Sequence, residues 1–314
     1  MRKLEFLCFT LLALMTMSLD VLAQIAERKV DIYSAGVRMT GTVLYPQALE
    51  GKKLPTVVMS HGWGGTAALL RPQAERFAQA GYFVLVFDYR GWGESDARWV
   101  HEGSAATDNK AGRELREVVD PLDQSTDIFN AVHWAMGEPM VDVNRVGLWG
   151  TSFSGGLVAY VAARDPRIKA IVSQTAYFGQ PRATYKSDAL WRAQSDATRR
   201  ARGEIGYPPP SAKEVGNLRG APIRESFLLY APIDDIQAIK GCAILIIDAE
   251  KEELFDIRQQ GELAFNRAAE PKKRVVIPGI THYGIYTVAR EQSIGLAIEW
   301  MDLYLKGGTQ TPGR

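Results

Sequence analysis

A serine lies in a run of small residues, Gly150-Thr151-Ser152-Phe153-Ser154-Gly155, between two apolar segments. Residues 144–149 have the composition of a buried strand, and residues 153–164 have the apolar spacing of a helix. A serine at such a strand-to-helix turn sits on strained backbone with its hydroxyl exposed, which suits a nucleophile. Ser154 stands where these turns usually carry a second glycine, and it is small enough to fit there. We therefore predict Ser152 as a nucleophile, with the Phe153 N–H as an oxyanion donor.

A serine nucleophile needs a base that takes its proton and an acid that orients the base. Where the serine occupies such a turn, the acid and then the histidine follow it along the chain. The chain has four histidines: His61, His101, His133 and His282. Only His282 follows Ser152, and it lies in a loop bounded by glycines directly after a predicted strand. His282 is therefore the predicted base.

The acid is expected in the loop that follows the predicted strand over residues 243–247. That loop is rich in carboxylates, and the usual spacing of four to five residues past the strand selects Glu252. Asp248 and Asp256 are the alternatives. Most hydrolases of this kind use aspartate at this position, so a glutamate is a departure from the usual pattern.

Two further loops carry polar residues and glycines. In Ser60-His61-Gly62-Trp63-Gly64-Gly65-Thr66, the glycines allow backbone N–H groups to face a substrate carbonyl, which makes the Trp63 N–H the second predicted oxyanion donor. We assign His61 a structural role. In residues 87–95, Asp88 and Arg90 are expected to hold their loop through hydrogen bonds, without a catalytic role.

Strands and helices alternate along nearly the whole chain, which predicts an α/β fold with a doubly wound, mostly parallel sheet. Strands are predicted over residues 29–45 as a hairpin, and over 56–59, 82–87, 146–149, 168–173, 243–247 and 274–277. Helices are predicted over residues 69–80, 122–136, 153–164, 257–269 and 288–305. Residues 176–232 interrupt this rhythm. Because long structureless loops are uncommon in compact domains, we predict a helical cap insertion there.

The N-terminus has the pattern of a secretory signal peptide over residues 1–23, with Arg2 and Lys3 before a short apolar stretch. The remaining residues, 24–314, are expected to form the hydrolase domain with its cap. The protein is then expected to be secreted or periplasmic, without stable membrane insertion after cleavage. Cys242 would be the one cysteine left, and its apolar surroundings predict a core residue.

The overall composition of the 314 residues is that of an ordinary globular protein, with 46% hydrophobic residues and a formal net charge of +1. This balance gives no indication of a nucleic-acid partner. No cluster has metal-ligand spacing, and no glycine-rich phosphate loop is present, so we predict no metal and no cofactor.

Taken together, these motifs resemble the α/β-hydrolase superfamily over about residues 37–305. The chain looks most like the group that includes dienelactone hydrolase-like esterases, X-Pro dipeptidyl-peptidase-type hydrolases and fungal polyketide transferase/thiohydrolase enzymes. The acidic segment Glu117-Val118-Val119-Asp120-Pro121 and the S-F-S-G form of the serine turn recur in that group. Dienelactone hydrolase itself uses a cysteine nucleophile, whereas this chain has Ser152.

The resemblance implies acyl transfer to water by Ser152, His282 and Glu252, with the oxyanion held by the Phe153 and Trp63 N–H groups. Hydrolysis of a small-molecule carboxylic ester or other acyl substrate is the leading hypothesis. The alternatives are a peptidase or amidase, for which Glu117 and Asp120 could anchor a substrate amine, and a thioester hydrolase or acyltransferase. A non-catalytic binding protein on the same scaffold is the remaining alternative.

Overall fold

The computed structural model describes residues 24–101, 112–210 and 212–307, and the predicted signal peptide over residues 1–23 lies outside them. The strands are β1 (Ile25–Ser34), β2 (Val37–Pro46), β3 (Leu54–Ser60), β4 (Phe83–Phe87), β5 (Arg98–His101), β6 (Gly112–Leu115), β7 (Val118–Val119), β8 (Val141–Thr151), β9 (Ile168–Gln174), β10 (Ala221–Pro222), β11 (Ala243–Lys251) and β12 (Lys272–Thr281). The α-helices are α1 (Arg71–Gln79), α2 (Pro121–Met136), α3 (Phe153–Ala162), α4 (Ser187–Ala201), α5 (Arg224–Leu229), α6 (Pro232–Asp235), α7 (Gly261–Arg267) and α8 (Arg290–Leu305).

Eight strands form the main sheet, in the order β1-β2-β4-β3-β8-β9-β11-β12. The pairs from β4 to β12 are parallel, while β2 is antiparallel to both β1 and β4. The predicted doubly wound, mostly parallel sheet is therefore confirmed. From β3 the chain moves to β4 on one side and later to β8 on the other, so the direction of winding reverses between β3 and β8. In open α/β sheets, ligands bind at the carboxyl ends of the strands at this point.

The sheet is buried on both faces because helices cover each of them. Every residue of β3 is buried; Val58 packs into the core beneath α2 and α3, whereas Val57 and Met59 point to the opposite core, beneath α1 and α8. This alternation follows from the two-residue period of a strand. It also explains why the buried strands have almost unbroken apolar sequences.

Three helices begin later than the sequence pattern predicts. The predicted helix over 288–305 is α8, which begins at Arg290. The predicted helix over 257–269 is α7 (Gly261–Arg267), because the buried Gln260 side chain accepts a hydrogen bond from the Phe178 N–H at 2.7 Å and donates to the Gly179 carbonyl at 3.2 Å. These bonds accompany a non-helical backbone at Gln260, with φ −117° and ψ −99°. The predicted helix over 69–80 is preceded by a 3₁₀ turn, and α1 begins beside Pro72, a residue that favours the first helical turn.

The 176–232 segment holds α4, the short strand β10 and α5. Its strand β10 pairs in parallel with β7, so Ala221 and Pro222 lie beside Val118 and Val119. A second small sheet consists of β5 and β6, which pair antiparallel and were not predicted from the sequence. None of the helices in the described ranges is long and apolar enough to cross a membrane.

Asp88 and Arg90 hold the loop after β4 through separate partners. Asp88 accepts hydrogen bonds from the N–H groups of Ala67 and Glu94 at 2.7 and 3.0 Å. Arg90 forms an ion pair with Asp127 of α2, and both side chains are at least 95% buried. Burial raises the pKa of Asp127 to about 6, even though the Arg90 guanidinium lowers it. The loop is thus fixed to α2 by a buried pair of opposite charges.

We expect Arg90→Met to lower the free energy of unfolding by about 3 kcal/mol at pH 8, because it leaves the Asp127 carboxylate buried without its cation. The loss should shrink toward pH 5. The Arg90 guanidinium lowers the pKa of Asp127, so its removal raises this folded-state pKa further. A carboxyl with a raised folded-state pKa loses its contribution to stability as the pH rises through that pKa, so the variant loses more stability than the wild type on going from pH 5 to pH 8.

Urea unfolding of both proteins at pH 8 and pH 5 measures this difference. Arg145→Met is the matched control, because Arg145 pairs at the surface with Asp142 and such pairs contribute about 0–1 kcal/mol. The account is wrong if both variants lose the same free energy of unfolding. It is also wrong if the loss in Arg90→Met is the same at pH 8 and pH 5.

Candidate active site

The turn between β8 and α3 places Ser152 at the carboxyl edge of the sheet, at the point where the winding reverses. Ser152 has φ 55° and ψ −124°, a backbone conformation that is strained for any residue other than glycine. Its N–H donates to the Gln174 carbonyl at 2.8 Å, and its carbonyl accepts from the Gly155 and Tyr177 N–H groups. A Cβ at Gly150 would lie 2.3 Å from the Ser154 carbonyl oxygen, so this position requires glycine.

Ser154, the departure from the usual glycine, fastens the turn to the neighbouring strand. Its hydroxyl donates to the Ser60 carbonyl at the end of β3 at 2.6 Å and accepts from the Thr151 N–H at 2.9 Å. The side chain is completely buried. A glycine at position 154 could not form these bonds, so the serine found there adds a connection between β8 and β3.

His282 is hydrogen-bonded at both ring nitrogens. Its Nε2 lies 3.1 Å from Ser152 Oγ, and its Nδ1 lies 2.7 Å from Glu252 Oε2. An ionised carboxylate can only accept, so the proton is assigned to Nδ1, which leaves Nε2 free to accept from the serine hydroxyl. The His282 backbone N–H donates to Glu253 at 2.6 Å. The structure therefore brings Ser152, His282 and Glu252 together in the arrangement that nucleophilic catalysis requires.

The three candidate acids have different partners. The Glu252 side chain is only 1% exposed and contacts His282. Asp248 forms an ion pair with Arg274 at 2.7 Å, and burial raises its pKa to about 6. Asp256 binds Arg258 at 2.8 Å on the surface, where this arginine lowers its pKa. Glu252 is thus the carboxylate that the structure places against the histidine.

The loop after β3 runs directly alongside Ser152. A Cβ added at Gly62 would lie 2.9 Å from both Ser152 Cβ and the Thr151 carbonyl oxygen, so the chain can pass here only as glycine. The next residue, Trp63, is fixed through its indole, which donates to the Gly220 carbonyl at 3.0 Å. Within the described part of the chain, no acceptor lies within hydrogen-bond distance of the Trp63 backbone N–H.

His61 lies beneath this loop, away from the serine. It is 1% exposed and packs edge-to-face on Tyr89 with ring centroids 4.5 Å apart. Its Nδ1 donates to the Gly62 carbonyl at 3.0 Å, and burial lowers its pKa. These contacts agree with a structural role for a neutral imidazole.

A cavity of about 500 Å³ opens beside Ser152. The loops at the sheet edge supply part of its wall, and most of the remaining lining comes from the 176–232 segment. The ring of Phe153 packs against Trp63 and Phe227 with centroids 5.4 and 5.9 Å apart, respectively. The side chains lining the cavity are Trp63, Ser152, Phe153, Tyr177, Gln180, Tyr185, Ala189, Arg192, Ala193, Val215, Leu218, Pro222, Arg224, Phe227, Leu228, Leu254 and Phe255. A mostly apolar wall around a nucleophile suits an apolar substrate group.

The acidic segment at residues 117–121 lies outside this cavity and joins the 176–232 segment to the sheet. Glu117 pairs with Arg219 at 3.2 Å, and β7 pairs with β10. Asp120 caps α2 by accepting from the Leu122 and Asp123 N–H groups. These carboxylates therefore have structural partners, a role that the sequence analysis did not identify.

Aromatic side chains pack against the His282 ring, and these contacts were not predicted from the sequence. Phe255 and Tyr286 pack around its ring with centroids 5.7 and 6.1 Å away. The Tyr286 hydroxyl shares a 2.7 Å hydrogen bond with Thr151 Oγ1, which links the histidine loop to the serine turn. The aromatic residues at positions 283 and 286 directly after the histidine were the available signal.

Comparison with known proteins gives relatives that match part of this chain. The quorum-quenching protein AidA of Acinetobacter baumannii is 39% identical over 124 residues, which cover 39% of this chain and 36% of that protein. Thiohydrolase aneE of Aspergillus aculeatus is 36% identical over 120 residues, which cover 38% of this chain and 33% of that protein. The chain spans less than half the length of these relatives and of the Escherichia coli proteins that it matches.

Among solved structures, the α/β hydrolase GrgF from Penicillium sp. superposes with a TM-score of 0.70 at 20% identity, covering 90% of this chain and 99% of that one. A likeness at this identity supports the fold alone. The family model described as X-Pro dipeptidyl-peptidase (S15 family) matches residues 35–214, more than half of the chain and the part that carries Ser152. This chain therefore belongs to the X-Pro dipeptidyl-peptidase (S15) family of α/β hydrolases.

Proposed function

We propose that this hydrolase is a serine esterase that cleaves carboxylic esters of small molecules through an acyl-enzyme intermediate. The observation that carries the proposal is the pair of hydrogen bonds from His282, to Ser152 Oγ at 3.1 Å and to Glu252 Oε2 at 2.7 Å. They lie beside an apolar cavity large enough for an acyl group.

In the first half of the reaction, Ser152 Oγ attacks the ester carbonyl carbon while its proton passes to His282 Nε2. Glu252 stabilises the imidazolium that forms. The tetrahedral intermediate then expels the alcohol, which takes the proton from His282 and leaves the acyl group on the serine. Water attacks this acyl-enzyme, gives a proton to His282, and releases the carboxylic acid as Ser152 recovers its proton.

The oxyanion of both tetrahedral intermediates is assigned to the Phe153 and Trp63 N–H groups. Phe153 is the first residue of α3, where N–H groups point outward and the helix dipole favours negative charge. The Trp63 N–H follows Gly62, whose backbone passes against Ser152. Donors held in this way act without reorganisation during the reaction.

The charges around the cavity favour an ester over a peptide with a free amino terminus. Binding a substrate ammonium group requires a carboxylate, and the cavity lining contains arginines but neither aspartate nor glutamate among the described residues. Glu117 and Asp120, the proposed anchors for an amine, are occupied by Arg219 and by the start of α2. A thioester hydrolase with the same acyl-enzyme is the second candidate, supported by the name of the relative aneE.

We infer that residues 176–232 act as a cap over the serine, because α4 and α5 supply much of the cavity wall. We also propose that residues 1–23 are removed as a signal peptide and that the mature enzyme is secreted or periplasmic, a proposal that rests on the N-terminal pattern alone.

We expect the mature protein to hydrolyse p-nitrophenyl esters and Ser152→Ala to lose this turnover together with labelling by a fluorophosphonate, because both require the serine oxygen. The measurement compares a series of p-nitrophenyl esters with aminoacyl p-nitroanilides. If only the anilides are turned over, the result indicates a peptidase and contradicts the esterase proposal. If the wild type shows neither turnover nor labelling, the non-catalytic binding protein is the remaining explanation.

Glu252→Gln is expected to reduce kcat by about 10⁴-fold, because an amide no longer holds the imidazole in the required tautomer. Asp256→Asn is the matched control, since it alters a carboxylate of the same loop whose partner is the surface residue Arg258. The steady-state kinetics of both variants on one ester decide the assignment. If Glu252→Gln keeps wild-type turnover while folding normally, Glu252 is not the acid.

Gly62→Ala is expected to lower kcat by about 10²-fold, because its Cβ would push the loop carrying the Trp63 N–H away from Ser152, and losing one oxyanion donor has an effect of this size. Gly295→Ala in α8 is the control, since a Cβ there meets nothing within 4 Å. Kinetics and thermal unfolding of both variants test the expectation. A variant with normal kcat would place the second donor elsewhere.

A further inference from the structure

The cavity beside Ser152 carries charge of one sign. Its lining includes two arginines, Arg192 on α4 and Arg224 on α5, and within the described residues it includes no carboxylate. A cation on an otherwise apolar wall is costly to leave without a partner when a substrate excludes water. The partners of the two arginines therefore indicate what kind of substrate the cavity accepts.

Arg224 is already neutralised by the protein. Its guanidinium lies 2.5 Å from Glu214 and 3.7 Å from Asp196. The neighbouring Arg200 and Glu225 form a second ion pair between α4 and α5 at 2.6 Å. These pairs fix the two helices relative to each other and leave Arg224 with its charge balanced.

Arg192 is different. Asp188 and Asp196 lie one helical turn away on either side, at a spacing that permits ion pairs. Across the residues that the structure describes, however, neither they nor any other carboxylate comes within 4.0 Å of the Arg192 guanidinium nitrogens. The adjacent Ala193 is buried, so this part of α4 is packed in place while Arg192 stays exposed at the cavity. It presents a positive charge, fully available, to whatever occupies the cavity.

We propose that Arg192 binds a carboxylate of the substrate, so that the preferred ester carries a carboxylate in its acyl or its alcohol part. A guanidinium recognises a carboxylate through two parallel N–H···O bonds. One unpaired arginine matches a single negative charge. A phosphate monoester carries nearly two at neutral pH and would need a second free cation, which Arg224 does not provide. The inference rests on the proposed esterase activity and narrows its substrate class.

Two matched pairs of substrates test the proposal. The mono-p-nitrophenyl ester of adipic acid is compared with p-nitrophenyl hexanoate, which places the carboxylate on the acyl side. 4-Acetoxybenzoate is compared with phenyl acetate, which places it on the alcohol side. We expect kcat/KM to favour the anionic member of at least one pair, and this preference to weaken as salt is added, because salt screens an exposed charge pair.

Arg192→Gln is expected to reduce kcat/KM for the favoured anionic ester by about tenfold or more, the usual effect of a hydrogen bond to a charged group. The ratio of kcat/KM for the anionic ester to that for its neutral partner should fall in Arg192→Gln, and Arg192→Lys should retain part of this preference. Arg199→Gln is the control: this exposed arginine lies on the same helix and does not line the cavity.

The outcomes separate the two proposals. If the wild type shows no preference in either pair, or if Arg192→Gln keeps the preference, the carboxylate site is overturned while hydrolysis of the neutral esters still supports the esterase. If the wild type hydrolyses none of the four esters and is not labelled by a fluorophosphonate, the esterase proposal itself has failed. A preference that is lost in Arg192→Gln and kept in Arg199→Gln supports the site.

Discussion

The strained backbone of Ser152 is the constraint on which the rest of the site depends. A residue in this conformation is disfavoured by about 1–3 kcal/mol, so its surroundings must hold it there. They do so from three sides: the N–H is bonded to Gln174 of β9, the Ser154 hydroxyl fastens the turn to Ser60 of β3, and Gly62 passes within contact distance of the Ser152 side chain. Each of these contacts comes from a strand end or loop next to the reversal of winding, which is why the site can form only there.

The buried acidic residues Asp127, Asp248 and Glu252 have different partners and therefore different roles. Asp248 and Asp127 are buried beside arginines, and desolvation raises the pKa of both, to about 6. The Asp127 ion pair fixes the loop after β4 to α2, and the Asp248 ion pair joins β11 to Arg274 of the neighbouring strand β12. Glu252 is equally buried but meets an imidazole, which is neutral until it accepts a proton. A carboxylate with such a partner is left to stabilise the positive charge that the proposed reaction creates on His282.

Much of this arrangement could be predicted from the sequence, because the signals are local. The glycines around Ser152 and the apolar strand before it specify the turn, and chain order alone selects His282. The spacing from the predicted strand over residues 243–247 favours Glu252 over Asp248 and Asp256, and the structure pairs Asp248 with Arg274 and Asp256 with Arg258. Other features depend on partners distant in the sequence. The late start of α7 follows from Gln260 bonding to residues about 80 positions away, and the pairing of β7 with β10 joins segments of two residues each, too short to give a pattern.

The residues that hold the serine turn and those that would choose a substrate lie in different parts of the chain. The strained turn, the sheet and the loop after β3 are held by backbone bonds and glycines, which tolerate little change. The wall formed by α4 and α5 is attached through the pairing of β10 with β7, through Arg219 and through the Trp63 indole. Phe227 of this wall packs against Phe153 and Trp63, whereas Arg192 forms no hydrogen bond with the serine turn among the described residues. A cation at Arg192, where an amine-binding enzyme would need a carboxylate, would change the charge of the substrate that fits without altering the proposed acyl-transfer chemistry. Membership of a peptidase family and the proposed hydrolysis of an anionic ester are therefore compatible, since a fold does not determine which substrate its site accepts.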